Sequence, residues 1–320
     1  MKALVYDRYG NPDVLQLREI DRPVPGAGEV LVKVHAASLN SWDWDLLRGA
    51  ALVRPWGLLK PQYSILGCDI AGRVEEVGAK VQRLRVGDEV FGDISFAGWG
   101  GFAEYVAVSE EPLALKSPAM TFEQAAALPQ AGVLAVQGLR LLEEARKGQR
   151  LLIIGAGGGV GTLATQIAKA RGAEVTAVDS GVKLEMLQSV GADHVVDYVA
   201  EDFTRRGQQY DWILDVVGRR SIWECRRALS PEGAYVMVGA TVSNLLQLLL
   251  FRPWIRKTSN RQADILMHRP NREDLELLDQ LFESGQVLPV IDRCVPLEGV
   301  PEALRSLGEG RICGKAVVTV

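Results

Sequence analysis

The sequence predicts an α/β protein, a doubly wound parallel sheet with β-rich segments at both ends. Three observations carry this. Between residues 151 and 238 short apolar strands alternate with stretches of helical periodicity, which argues for parallel strands joined by crossover helices. A glycine-rich turn, Gly155-Ala156-Gly157-Gly158-Gly159-Val160-Gly161, separates the first of these strands from the first of these helices. The first 120 residues and the tail from Val287 carry short, turn-punctuated strand patterns instead.

Composition sets the frame. A chain of 320 residues, 48% hydrophobic and 24% charged, has enough material for two domains with a core each. Its 36 Lys and Arg against 40 Asp and Glu give a net charge of −4, which excludes a protein whose main task is to hold a nucleic-acid backbone. Charge appears early, in Lys2, Asp7 and Arg8, so no export signal is expected and the expected compartment is the cytoplasm. The apolar run Leu245 to Phe251 is far shorter than the roughly 20 residues of a membrane span. Cys68, Cys225, Cys294 and Cys313 form no C-x-x-C pair and read as reduced thiols.

In chain order, strands are expected at Leu31–Ala36, Ile70–Val74, Glu89–Phe91 and Ala103–Val108. Thr121 with Gln124 three residues on resembles a capping box and opens an Ala-rich helical run to about Arg146, which marks a domain boundary. The sheet strands follow at Leu151–Ile154, Glu174–Val178, His194–Asp197, Trp212–Asp215 and Ala234–Val238. An irregular basic segment at 252–271 precedes a helix from Arg272 to Ser284, and the strand-like Ala316–Val320 is expected to return to the first domain. The domains are therefore 1–122, 123–271 and a closing 272–320.

The glycine turn carries the strongest chemical signal. A side chain there would hold the backbone away from a pyrophosphate, whose charge is met by amide N–H groups at the helix start. Asp179, at the end of the next strand, stands where an acid would bind an adenosine ribose. The glycines satisfy G-x-x-G-x-x-G at 155, 158 and 161, but also G-x-G-x-G at 155, 157 and 159, so the loop alone leaves nicotinamide dinucleotide and S-adenosylmethionine both open. No tyrosine has lysine four residues on, which excludes short-chain dehydrogenase chemistry.

Four ordered stretches, Gly67–Gly78, Val86–Gly92, Gly101–Tyr105 and Ala126–Gly132, together with the glycine loop and Gly314–Val318, resemble the medium-chain dehydrogenase/reductase superfamily, in particular its zinc-free quinone oxidoreductase branch. The resemblance implies a GroES-like catalytic domain split around a Rossmann domain. It also implies hydride transfer from NADH or NADPH to a quinone or an α,β-unsaturated carbonyl. The alternatives are a zinc-independent alcohol dehydrogenase or aldehyde reductase, and an NADPH-binding regulatory protein without turnover.

Matched by motif to zinc-dependent relatives, Asn40 stands at the first ligand position, Cys68 and Asp69 at a His-Glu pair, and Gln130 close to the last. Asn and Gln are poor zinc ligands, so no metal is expected. The resemblance makes Asn40 the catalytic donor to a carbonyl oxygen and places Trp42, Asp43 and Gln130 at the substrate, although the closeness of Asp43 to Arg48 also reads as an ion pair. Trp42, Trp44, Trp56 and Trp99 offer flat aromatic walls or core packing. Cys68 reads as a buried small residue.

For the cofactor, Gly155 to Gly161 and Asp179 fit NAD, while Ser180 and Lys183 match positions that hold the 2′-phosphate of NADP; dual use is expected. Arg252, Arg256, Lys257, Arg261 and Arg269, with Trp254, read as a solvated face or subunit interface. The resemblance implies a homodimer, for which the run at 245–251 suits the contact.

Overall fold

A computed structural model of the chain describes residues 1–51, 57–141, 148–258 and 261–320, with the backbone alone for 252–258. In chain order the elements are β1 (Lys2–Val5), β2 (Gln16–Glu19), β3 (Glu29–Ser38), α1 (Ser41–Arg48), β4 (Asp69–Val77), β5 (Glu89–Asp93), β6 (Tyr105–Ser109), β7 (Leu113–Leu115) and α2 (Phe122–Ala126). Next come α3 (Pro129–Arg140), β8 (Arg150–Ile154), α4 (Gly159–Ala170), β9 (Glu174–Asp179), α5 (Leu184–Ser189), β10 (His194–Asp197), β11 (Tyr210–Asp215) and α6 (Ile222–Ala228). The chain continues through β12 (Leu229–Met237), α7 (Val242–Thr258), β13 (Gln262–Ile265), α8 (Arg272–Glu283), β14 (Ile291–Pro296), α9 (Val300–Gly308) and β15 (Lys315–Thr319). Two compact units result, one of residues 1–133, 270–285 and 289–320, the other of 134–269 and 286–288.

The second unit is Rossmann-like. Its sheet runs β10-β9-β8-β11-β12-β13 with every pairing parallel. Counted from β8, that is the order 3-2-1-4-5-6, whose direction of travel reverses between β8 and β11. Leu151 to Ile154 and Val175 to Val178 are buried because helices cover both faces of a parallel sheet, and this gives the strands their unbroken apolar runs.

In the first unit the sheet registers decide what meets at one end. In order β14-β15-β3-β4-β5-β7, the long strand β3 pairs antiparallel with β4 along one edge. On its other edge it pairs β6 at Glu29–Lys33 and β15 at Ala36–Ser38. Ser38 lies opposite Asp69, Asp69 opposite Asp93, and Ser38 opposite Val317. The end of β3, the start of β4, the end of β5 and the start of β15 therefore converge. Val30, Val32 and Val34 of β3 join Ile70, Val74, Val90 and Val318 in the core.

Several elements differ from the sequence expectation. The Thr121 and Gln124 box forms, with Gln124 N–H donating to Thr121 Oγ1 at 3.2 Å and Thr121 N–H to Gln124 Oε1 at 2.9 Å. It opens only a short helix, because Pro129 has no N–H to continue the ladder and begins a second helix. The units divide at 133/134 rather than at 122/123, since α2 packs on β3 and β4. The segment expected to be irregular holds the end of α7 and the edge strand β13, parallel to β12. Four residues with alternating polarity gave too little pattern to find β13. Trp56, the helical run at 142–147 and the side chains of Arg252, Trp254, Arg256 and Lys257 lie outside the described residues. Among those described, no helix is long and apolar enough to cross a membrane.

Candidate functional site

At the reversal of strand order the chain leaves β8 through Gly155, whose φ of 77° is left-handed and closed to most side chains. The N–H groups of Gly155 and Ala156 both donate to Val178 O, at 3.0 and 3.1 Å, tying the turn to β9. The turn ends at Gly158, the N-cap of α4. A Cβ on Gly161 would stand 2.5 Å from the Ala156 carbonyl oxygen, so glycine there permits close packing of helix on turn. Gly158 is different: the nearest atom to a Cβ is 3.9 Å away. Gly158, Gly159 and Val160 keep exposed surface at the tip, where the first N–H groups of α4 lack a partner one turn back. An anion fits that tip, and the open Gly158 lets it approach the backbone.

Asp179 ends β9 with 9% exposure, and its carboxylate turns back on the loop. Oδ2 accepts from Gly157 N–H at 2.7 Å, and Oδ1 from Ser180 N–H at 2.8 Å. Lys183, also buried, brings Nζ to 3.8 Å from Asp179 Oδ1, and its Cδ lies 2.5 Å from where a Gly157 Cβ would stand. The sequence-predicted cofactor residues thus form one patch. Beside it, at the end of β11, Asp215 accepts from the N–H groups of Val217 and Gly218 and from the Tyr235 hydroxyl at 2.9 Å. Burial pushes the Asp215 carboxyl up despite these donors.

In the first unit, register assembles a buried polar cluster. Asn40 Nδ2 donates to Asp69 Oδ2 at 2.9 Å and to Cys68 Sγ at 3.3 Å, while Gln130 Nε2 donates to the same sulfur at 3.2 Å. Asp69 Oδ1 accepts from Gln130 N–H at 2.9 Å, and Ser38 Oγ donates to Oδ2 at 3.1 Å. Lys315 Nζ donates to Asn40 Oδ1 at 2.6 Å, Leu39 O at 3.0 Å and Asp69 Oδ2 at 3.1 Å. Burial pushes the Cys68 thiol well up, reinforced by the neighbouring Asp69. It also raises the Asp69 carboxyl, against the pull of Lys315.

The structure therefore brings Asn40, Cys68, Asp69 and Gln130 together, as their motif positions imply. Asn40 is 7% exposed and Gln130 3%. Asp43 is fully buried at the start of α1, accepting from Asn40 N–H at 2.7 Å and Gly67 N–H at 2.9 Å, and burial pushes its carboxyl up to about 7. It joins two backbone segments and presents no surface to a ligand. The ion pair read for Asp43 and Arg48 is corrected: Arg48 lies over the Trp44 ring, 5.0 Å from its centre, and it is Asp45 whose carboxyl feels its charge. Trp42 is half-buried and meets Phe96 edge-on at 5.9 Å, whereas Trp99 is core.

Sequence reading missed Lys315 and Asp93. A lysine at the head of the otherwise apolar strand Ala316-Val317-Val318 was the available signal.

The comparisons agree with this architecture. Residues 26–118 match the alcohol dehydrogenase GroES-like domain family, and residues 190–318 the zinc-binding dehydrogenase family. The chain is 36% identical over 332 residues to a 2-methylene-furan-3-one reductase of Solanum lycopersicum, covering 99% of this chain and 79% of that protein. The quinone oxidoreductase of Coxiella burnetii superposes with a TM-score of 0.90 at 32% identity, over 100% of this chain and 99% of the other. The Escherichia coli quinone oxidoreductase complexed with NADPH gives 0.87 at 26% identity, over 100% of both chains.

Proposed function

This chain belongs to the quinone oxidoreductase-like branch of the medium-chain dehydrogenase/reductase superfamily, an oxidoreductase family, and on that footing we propose that it is a zinc-independent reductase of quinones or α,β-unsaturated carbonyls using NADH or NADPH. The observation that carries the reading is the glycine loop at the reversal of strand order, with the Gly158 backbone open to an anion. A bound reduced nicotinamide would supply the hydride. The chain's own part is to hold and orient.

The tip N–H groups at Gly158 to Val160 suit the pyrophosphate, and Asp179, Ser180 and Lys183 suit the adenosine ribose. With Lys183 Nζ 3.8 Å from the Asp179 carboxylate, a 2′-phosphate would meet one attractive and one repulsive charge, and ribose hydroxyls an acceptor. This supports use of both cofactors.

On the substrate side, Asn40 is the donor. One of its N–H bonds goes to a thiol sulfur, a weak acceptor that a carbonyl oxygen carrying developing negative charge would displace. The other stays on Asp69 and fixes the amide. Cys68 Sγ accepts N–H bonds from Asn40 and Gln130, amide donors that cannot coordinate zinc, and the Asp69 carboxylate beside it already carries the Lys315 ammonium. That chemistry supports the zinc-independent reading and sets the alcohol dehydrogenase alternative behind the reductase. A homodimer belongs to the same proposal, supported by Leu246, Leu249 and Leu250, all at least half exposed on α7.

The test is a substrate panel of quinones, enones and simple aldehydes with each cofactor, followed by loss of nicotinamide absorbance. Turnover of quinones or enones is expected; reduction of aldehydes in preference to both overturns the proposal.

A further inference from the structure

Three groups of the buried cluster have the makings of a metal site. Cys68 Sγ and carboxylate oxygens of Asp69 and Asp93 all lie within 4.8 Å of one another, and all three residues are buried. A thiolate and two carboxylates would suit zinc or cobalt.

We propose that the Lys315 ammonium is the built-in cation of this cluster: it neutralises Asp69, holds the Asn40 amide in orientation, and keeps divalent metal away from Cys68, Asp69 and Asp93. An ammonium has three N–H donors and no lone pair, and those of Lys315 are matched by Leu39 O, Asn40 Oδ1 and Asp69 Oδ2. Because lysine can only donate, it fixes which end of the Asn40 amide it faces. The oxygen must turn to Lys315, and the NH2 group then turns to Asp69 and the sulfur. A metal on the sulfur would meet the NH2 groups of Asn40 and Gln130 where it needs lone pairs, and a positive charge already seated on Asp69. The strand register places Lys315 there: Val317 lies opposite Ser38, and Leu39 N–H donates to Ala316 O at 3.0 Å, so β15 begins beside Asn40.

Lys315 is thus a positioning residue for Asn40. Its effect on turnover rests on the reductase reading; its effect on metal uptake does not. Wild type, Lys315→Met, Lys315→Met with Asp69→Asn, and Lys315→Met with Cys68→Ser are each produced in cobalt-supplemented medium and analysed for metal. Wild type and the Asp69→Asn double variant are expected to hold almost none. Lys315→Met is expected to hold about one cobalt per chain with a thiolate-to-cobalt absorption band, which the Cys68→Ser double variant loses. After chelation, Lys315→Met is expected to keep cofactor affinity within about twofold and lose about tenfold or more in kcat, in proportion to the loss of Asn40 alignment. If Lys315→Met is insoluble, Lys315→Gln, which keeps an N–H donor but not the charge, takes its place. A folded, uncharged variant that takes up no metal, or wild type that binds cobalt through Cys68, overturns the proposal. Failure of the substrate panel with the metal results as expected would remove only the reductase reading.

Discussion

Between Gly155 and Gly161 the chain offers a ligand almost nothing but backbone, whereas around Cys68 it offers almost nothing but side chains. In the glycine loop the proposed function depends on missing atoms: the Gly161 Cβ would collide with Ala156, and the Gly158 Cβ would stand in open space that the proposed cofactor would need. Around Cys68, function depends on polar groups satisfying one another out of water, where each unpaired one is costly. A local loop tolerates little change in shape, and a buried cluster tolerates little change in charge or donor pattern.

The sharpest test of the loop is its internal contrast. Gly161→Val is expected to cost more than about 4 kcal/mol, enough to unfold the second unit, because the new side chain has only backbone to displace; urea denaturation reads this. Gly158→Ala is expected to leave the unfolding midpoint unchanged and to weaken cofactor binding about tenfold, roughly 1.4 kcal/mol. Equal loss of stability in both would erase the distinction between packing glycine and approach glycine.

In the cluster region, Asp43 gives a pH signature. Its carboxyl, pushed up to about 7 by burial, holds its proton more tightly in the folded protein than in the unfolded chain. Stability from this group is therefore greatest near pH 4 and falls as pH rises towards 7, by an amount on the order of 4 kcal/mol. Asp43→Asn is expected to remove that fall, seen by comparing denaturation midpoints of the two proteins between about pH 4.5 and 8. A wild-type curve without the decline would place the Asp43 proton elsewhere.

Asn40→Ala is expected to lower kcat by about 2 to 4 kcal/mol in activation free energy while cofactor Kd changes little. It also removes one of the three acceptors of Lys315 Nζ, so a stability loss of about 1 to 3 kcal/mol should accompany it. Stability loss without loss of turnover would make Asn40 purely structural. The smallest effects are expected at the ribose patch: Asp179→Ser should shift preference towards NADPH and Lys183→Ala towards NADH, each by about 1 kcal/mol. An unchanged cofactor ratio in both variants would remove these residues from the ribose.

The loop and the sheet around it were legible in the sequence because their determinants are neighbours in the chain. Strand, glycines and helix follow one another between Arg150 and Ala170, and Asp179 comes at the end of the very next strand. In the first unit β3, β4, β5, β6 and β15 were readable from their apolar positions, whereas β1, β2, β7 and β14, short or largely exposed, left no such run. The edge strand β13 was not readable either, being too short and too polar to stand out.

The cluster divides differently. Asn40, Cys68, Asp69 and Gln130 were found by motif, but their partners were not, because hydrogen bonds between residues 38, 40, 69, 130 and 315 leave no periodic trace. The sequence by itself determined which residue types each strand and turn would hold: glycine where backbone must come close, a carboxylate at the end of β9, amides where zinc enzymes keep ligands. Only the tertiary structure decided that β15 would pair with the end of β3 and set a lysine against Asn40 and Asp69. Strand register is fixed by the packing of whole faces, and so the meeting of one ammonium with its three acceptors is decided by the pairing of whole strands and not by any local stretch of sequence.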